Sequence, residues 1–448
     1  MKAPEYIKPE ALERIAKYGG KIVHIVAIAT KPDIIKQAPI YKELENRGEF
    51  VLLCHTGQHY DFRYSGGMEE EFELTVDVHL GIDGDLNSKV SQMVKRFGEV
   101  IEYLQKSGKT PIPYVHGDTL TAMGISLASI LKQVACVHVE AGIRTLTPKK
   151  EFYNKFYKDF KAGKFNWDKY YAEAQKRDNY ELGSMEPYPE QVNTRMAEPA
   201  SGFYAAPVEL VREFLLSEGF PASKIAVVGN SVVDATLKSK EEAASSTIFE
   251  KYPQLKSGKF IRYCIHRREN IHDKNRFLIL IDVVKKLVES GESVLFISLF
   301  GTEKAIDEFN QRKIIEKLAK DYPDTFIYSD VWPYYKDVIA AMMRCAAVAT
   351  DSGSMQEEMN VLGVPCITLR FGSDRGESFL AGSNVPAPPI DSDFVVEIIK
   401  GAVKCDAMKN APKIYGENVS KKLVDEALKR INPDRGLFIS EEERLGIR

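Results

Sequence analysis

No stretch of the 448-residue sequence approaches the roughly 20 consecutive apolar residues that span a bilayer. The opening "MKAPEYIKPEALERIAKYGG" is charged and has no apolar segment of signal-peptide type, so a cytoplasmic protein is expected. An excess of either charge is missing too. Lys and Arg number 61 against 64 Asp and Glu, a net charge of −3 that gives no electrostatic support to a general nucleic-acid or membrane-surface role. The six cysteines, Cys54, Cys136, Cys264, Cys345, Cys366 and Cys405, are scattered without a C-x-x-C pair. They read as small buried hydrophobes rather than a disulfide framework or a zinc site. Among the histidines, His55 and His59 in "HTGQHYD" come closest to a ligand pair, but Gly57 opposes the helix that would align them, so no metal is expected. There is no G-x-G-x-x-G after the first strand-like run and no G-x-x-x-x-G-K-[ST], which leaves a dinucleotide or P-loop site unsupported.

What is present is a rhythm. Short β-branched or apolar runs ("KIVHIVAIAT", "IPYVHGDT", "VACVHVEAG", "FIRYCIH", "SVLFISLFG", "AAVATDSG") alternate with amphipathic segments such as "NRFLILIDVVKKLVES". That pattern implies parallel sheets covered by helices on both faces. It runs through both halves, and the length calls for two domains. Two doubly wound α/β domains facing a cleft are therefore expected, with ligands beyond the carboxyl ends of the strands. The boundaries are placed at 1–222, 223–430 and a tail at 431–448 that returns to the first domain. Residues 146–186, rich in aromatics and lysines, break the rhythm and are assigned to the first domain as an insertion. They could cover a core, roof the cleft or meet another subunit.

Five places stand out at strand ends. In "TDSGSMQEE", Ser354 and Glu357 have the spacing of a capping box, while Ser352, Gly353 and Glu358 suit a diphosphate at a helix start and a sugar diol one turn further in. Asp118 ends "PYVHGD", Glu140 ends "CVHVE", Glu190 lies in "PYPEQVN" and His266 ends "RYCIH". Each has a plainer reading: Asp118 as a helix cap, Glu140 as a partner of Arg144, Glu190 as a solvated carboxylate, His266 as a satisfied ring beside Arg267 and Arg268. Together with the two arginines of "HRREN", they read as an acid/base site next to an anion site.

The motifs "HTGQHYD", "VHGDTLTAMGISLA", "VHVEAGIRT", "PYPEQVN", "VVGNSVVDA", "HRREN" and "TDSGSMQEE" resemble, in order and spacing, those of non-hydrolysing UDP-N-acetylglucosamine 2-epimerases, across residues 21–430 apart from the insertion. The resemblance implies two Rossmann-like domains facing a cleft (GT-B-like), a UDP-sugar substrate, no cofactor and a homodimer. It also implies elimination of UDP to a 2-acetamidoglucal followed by re-addition. On the matching positions it implies Asp118, Glu140, Glu190 and His266 as catalytic residues. Arg267, Ser352, Gly353, Glu358, Arg375 and Lys31 would bind the UDP-sugar.

The chain also departs from the family pattern. "ATKPD" puts Lys31 where an arginine is usual, exchanging a forked donor for a point charge, and Thr194 follows "PEQVN" where an arginine is usual. The loop after "TLR" reads "FGSDRGE" rather than T-T-E-R-P-E, keeping Arg375 and Glu377, and a histidine expected after "LFISLF" is missing. Gln58 fits a second, activating UDP-sugar site, but the lost arginine and histidine lead to the expectation of no strong self-activation. Three other activities remain open: epimerisation of a modified UDP-N-acetylhexosamine, hydrolytic epimerisation, and a glycosyltransferase of the same two-domain design. A non-catalytic UDP-sugar sensor would not need the three carboxylates.

Overall fold

The computed structural model describes residues 3–57, 66–439 and 447. Its strands form where short apolar runs can be buried on both faces of a sheet. Among the described residues they are, in chain order, β1 (Ile22–Ile28), β2 (Val51–His55), β3 (Val78–His79), β4 (Thr110–His116), β5 (Cys136–Val139), β6 (Thr147–Pro148), β7 (Tyr180–Glu181), β8 (Ser201–Ala206), β9 (Ile225–Val227), β10 (Phe260–Cys264), β11 (Ser293–Ser298), β12 (Phe326–Asp330), β13 (Ala347–Thr350), β14 (Cys366–Thr368) and β15 (Asn384–Pro386). One sheet has the order β3-β2-β1-β4-β5-β8-β9 and the other β12-β11-β10-β13-β14-β15. All pairings within both are parallel. The short β6 and β7 pair antiparallel.

Each order reverses at its central strands, β1 beside β4 and β10 beside β13. Those reversals are the topological switch points at which doubly wound sheets bind ligands. Alternation along the strands sets the two-sided burial. In β10, Ile261 and Tyr263 join a core with Phe277 and Phe296, whereas Phe260 and Cys264 join a second core with Leu295 and Val348. No helix among the described residues is long and apolar enough to cross a membrane.

The contacts divide the chain into two units. The first holds residues up to Ile143, Pro189–Ala235 and the chain from Tyr415; the second holds Arg144–Tyr188 and Thr236–Ile414. In the first unit the helix Val419–Leu428 packs on the helix Lys31–Asn46, with Arg47 Nη1 2.6 Å from Asp425 Oδ1. Asp234 accepts from the Val419 and Ser420 amides and so fixes the start of that C-terminal helix.

The aromatic insertion does not sit where the sequence assigned it. Residues 146–186 belong to the second unit, because their apolar side chains have found a core there: Phe152, Phe156 and Tyr170 are buried with Phe394, Val395 and Ile398 of the helix Ser392–Val403. Tyr170 also donates to the Pro386 carbonyl of edge strand β15 at 2.7 Å. Burial of rings of this size outweighs the sequential neighbourhood of β5.

Candidate active site

In the first unit the switch point is lined by ionisable side chains. The helix Lys31–Asn46 starts directly after β1, and Thr30 with Asp33 forms its capping box. Asp33 also reaches the neighbouring strand, since its other oxygen, Oδ1, lies 3.0 Å from His116 Nδ1 at the end of β4. On its far side the imidazole bonds Glu140 Oε2. Lys36, one helical turn beyond Asp33 and fully buried, reaches Glu140 Oε1 at 2.8 Å and Oε2 at 2.7 Å. Two cations therefore face two carboxylates inside the protein. Burial works against an imidazolium here, yet Glu140 and Asp33 outweigh it and push His116 up to about 9.

Glu140 holds this position through its backbone. It adopts φ +62°, a left-handed conformation uncommon for a residue with a side chain, in the turn after β5. Gly117, at φ +57°, stands beside it, with room for a Cβ only 3.3 Å from Glu140 Oε2. Asp118 follows and is buried, and its carbonyl accepts from Asn193 Nδ2 at 3.0 Å. Asn193 lies three residues after Glu190 on the helix Glu190–Ala197, so that bond brings the first turn carrying half-buried Glu190 to Asp118. Asp118 is not the cap of the following helix: Thr119 accepts from the Ala122 amide at 3.1 Å instead. Lys31 is the first residue of its helix and half-buried.

The second unit brings arginines to a helix start at its own switch point. His266 follows β10, and Asp351 follows β13. Asp351 is fully buried and accepts from the His266 amide, the Arg267 amide and Asn270 Nδ2, all at 3.0 Å. The His266 ring, 28% exposed, places Nδ1 3.1 Å from Asp351 Oδ1. Burial disfavours its charge, but Asp351 prevails and lifts it to about 10. Next in the chain, Ser352 caps the helix Gly353–Leu362. A Cβ on Gly353 would lie 3.4 Å from Arg267 Nη2 and 3.5 Å from Arg375 Cζ, so two guanidiniums converge on the helix start. Between them Asp374 pairs with Arg370 at 2.8 Å and Arg375 at 3.2 Å. Despite its burial, Arg370, Arg375 and Arg267 hold that carboxyl well below the usual range.

The expected capping box of Ser354 and Glu357 is absent. The cap is Ser352, which accepts from the Met355 amide, while Ser354 donates to Glu358 Oε1 at 2.5 Å. Glu357 points to Arg375 and accepts from its Nε at 2.5 Å. The spacing was compatible with both, and the chain turns helical two residues earlier than the box requires, so Glu357 lies past the reach of the cap. Glu358 is buried one turn into the helix. Of the residues that the sequence singles out, Asp118, Glu140, Glu190 and Lys31 lie around the first unit's switch point and His266, Arg267, Ser352, Gly353, Glu358 and Arg375 around the second unit's, beside Lys36, Asp33, His116, Asp351 and Asp374, which the sequence does not single out. No short-range signal marks Lys36: its burial, and with it the need for a charged partner, follows only from the fold. Gln58 and His59 lie outside the described residues.

Comparison with known proteins identifies the family. The family model described as UDP-N-acetylglucosamine 2-epimerase matches residues 42–157 and 182–429. UDP-N-acetylglucosamine 2-epimerase of Methanocaldococcus jannaschii is 27% identical over 368 residues, 80% of this chain and 87% of that one. The enzyme of the same description from Neisseria meningitidis serogroup A is 27% identical over 421 residues, 90% and 99% respectively. Among solved structures, the M. jannaschii epimerase in complex with UDP-GlcNAc and UDP superposes with a TM-score of 0.73 at 24% identity, covering 91% of this chain and 99% of that one. The N. meningitidis epimerase bound to UDP-GlcNAc gives 0.71 at 25% identity, with 91% and 100% covered. With most of its length matched by the family model, and with acidic and arginine-rich groups at its two switch points, the chain is an isomerase that belongs to the UDP-N-acetylglucosamine 2-epimerase family.

Proposed function

We propose that this enzyme interconverts UDP-N-acetylglucosamine and UDP-N-acetylmannosamine without hydrolysis. The observation that carries the reading is the pairing of chemistries: a buried acid/base network in the first unit and an arginine-flanked helix start in the second. Complexes of the two relatives with UDP-GlcNAc support a UDP-sugar as the substrate class.

In the proposed reaction Asp118, Glu140 and Glu190 jointly handle the proton on C2. As it leaves, the electron pair of the C2–H bond forms a C1–C2 double bond and the C1–O pair departs with UDP. The intermediate is a 2-acetamidoglucal. UDP oxygen then re-forms the bond to C1, and a proton is returned to C2 on the opposite face. No net oxidation occurs, so the chemistry requires no hydride carrier. Lys36 and His116 balance the charge of Glu140 while protons move. His266, cationic at neutral pH, and Arg267 stabilise the departing diphosphate, with Arg375, Lys31 and the Ser352–Gly353 helix start as further anchors. Glu358 accepts from the ribose hydroxyls.

Incubation with UDP-N-acetylglucosamine in heavy water is the test. Deuterium at C2 of both UDP-sugars is expected. An unlabelled pool despite UDP-sugar binding rejects this substrate, label confined to a released free sugar marks a hydrolytic enzyme, and turnover that requires an acceptor marks a glycosyltransferase.

A further inference from the structure

The loop between β14 and the helix Gly376–Leu380 carries Arg370, Asp374 and Arg375, and it is gripped from outside by the aromatic insertion. Leu146 and Ser373 exchange both backbone hydrogen bonds at 2.9 Å. The approach is so close that the loop has glycine at both points of pressure. A Cβ at Gly372 would lie 2.8 Å from the Leu146 carbonyl oxygen, and one at Gly376 2.6 Å from the Leu146 side chain. Tyr153 of the insertion donates its hydroxyl to the Phe371 carbonyl and sets its ring edge-on to Phe371. At the other end of the short helix, Tyr180 stacks on Phe379 at 5.8 Å, and Tyr171 donates to the Gly382 carbonyl at 2.9 Å. Residues 158–181, which include Tyr171 and Tyr180, fall between the two ranges matched by the family model.

We propose that the insertion is the positioning element of the phosphate-binding loop, with Tyr153 and Tyr180 bracing it so that Arg375 stays directed at the helix start by Gly353. The inference rests on the reading of that helix start as the diphosphate seat. Its physical basis is entropic. A segment with Gly372 in the loop and Gly376 at the helix start loses much conformational freedom when ordered, and external braces meet that cost before the nucleotide arrives. Inside the loop the ordering passes to the guanidinium by a short route: the Arg375 amide donates to Ser373 Oγ at 2.9 Å, and Arg375 Nε donates to Glu357. Tyr153 touches none of the anchoring groups and is a positioning residue.

The test is a double-mutant cycle on the full-length protein, read by UDP calorimetry and by hydrogen exchange at the Ser373 and Arg375 amides. Tyr153→Phe keeps the ring and removes one hydrogen bond, and it is expected to weaken UDP binding roughly three- to tenfold and to speed exchange at both amides. Tyr157→Phe, which removes an equivalent bond from the same insertion to Asp391 rather than to the loop, should leave both unchanged. In an Arg375→Ala background, Tyr153→Phe should cost less than about twofold, because its path to the nucleotide is gone. Wild-type affinity and exchange in folded Tyr153→Phe overturn the proposal. So do equal losses from Tyr157→Phe, or effects of Tyr153 and Arg375 that multiply. If the wild type binds no UDP, the functional reading falls, and amide exchange alone still decides whether the insertion braces the loop.

Discussion

Lys36 Nζ stands 2.8 Å from one carboxylate oxygen of Glu140 and 2.7 Å from the other, with both side chains sealed from solvent. Such a pair is costly to bury and more costly to break, because the surviving charge has no water to turn to. Lys36→Met should therefore lower the free energy of unfolding by about 3–5 kcal/mol, measured by urea denaturation at pH 7. Turnover in the C2 deuterium assay should fall at least about a hundredfold. Wild-type stability in this variant would show that Glu140 draws its support elsewhere.

His116 gives the network a pH signature. Its folded value of about 9 lies above the ordinary 6.5, so its contribution is complete below pH 6.5 and is lost as pH rises through 9. The raise corresponds to roughly 3 kcal/mol at most. His266, raised to about 10 by Asp351, acts in the same direction, so wild type alone does not separate the two. The stability difference between wild type and His116→Gln is expected to shrink between pH 6.5 and 9.5, measured by urea unfolding at several pH values. A difference constant across that range would mean that the ring is neutral in the folded protein.

The α/β rhythm and the residues at strand ends were legible because each depends on short-range pattern: a run that can be buried on both faces, followed by a polar residue where the strand stops. Asp118, Glu140 and His266 were found in this way. What the pattern could not supply is partner choice. Glu357 has the spacing to cap its own helix, and only the fold shows that Arg375, 18 residues later, takes its carboxylate. Lys36 and His116 were hidden for the same reason, since an interior lysine and histidine are recognised only once Glu140 and Asp33 are known to lie between β1, β4 and β5. The insertion was misassigned because sequential order places it after β5, while Phe152, Phe156 and Tyr170 pack against a helix more than 200 residues further on.

Ser352 and Ser354 should now separate by experiment. Ser352→Ala removes the side chain that accepts from the Met355 amide and should cost about 1 kcal/mol, the usual value of an N-cap. It should also weaken UDP binding, since that hydroxyl borders the proposed diphosphate seat. Ser354→Ala leaves the cap intact and removes one hydrogen bond to Glu358 Oε1, so stability should change by less than in the Ser352 variant, as measured by the thermal unfolding midpoint. The reverse order of the two stability losses would return the cap to Ser354.

Adjacent carboxylates in the same helix are expected to differ in what they do to binding and to chemistry. Glu357→Gln keeps the shape beside Arg375 and an oxygen that can still accept from its Nε, but removes the charge that strengthens the bond; Arg375 also retains Asp374 at 3.2 Å. Exchanging a charge-assisted hydrogen bond for a neutral one costs about 1–1.5 kcal/mol, which sets an expected weakening of UDP of roughly five- to tenfold. At saturating UDP-sugar the rate of C2 labelling should stay within a fewfold of wild type, because in the proposed reaction Arg375 anchors the leaving group and takes no part in the proton transfers. Asp118→Asn should invert the pattern, with labelling slowed at least about a hundredfold and UDP affinity nearly kept. Calorimetry and labelling on the same two proteins decide it: if Glu357→Gln binds UDP as wild type does, the Arg375 guanidinium does not depend on the Glu357 charge, and the helix start, rather than the arginine, carries the diphosphate.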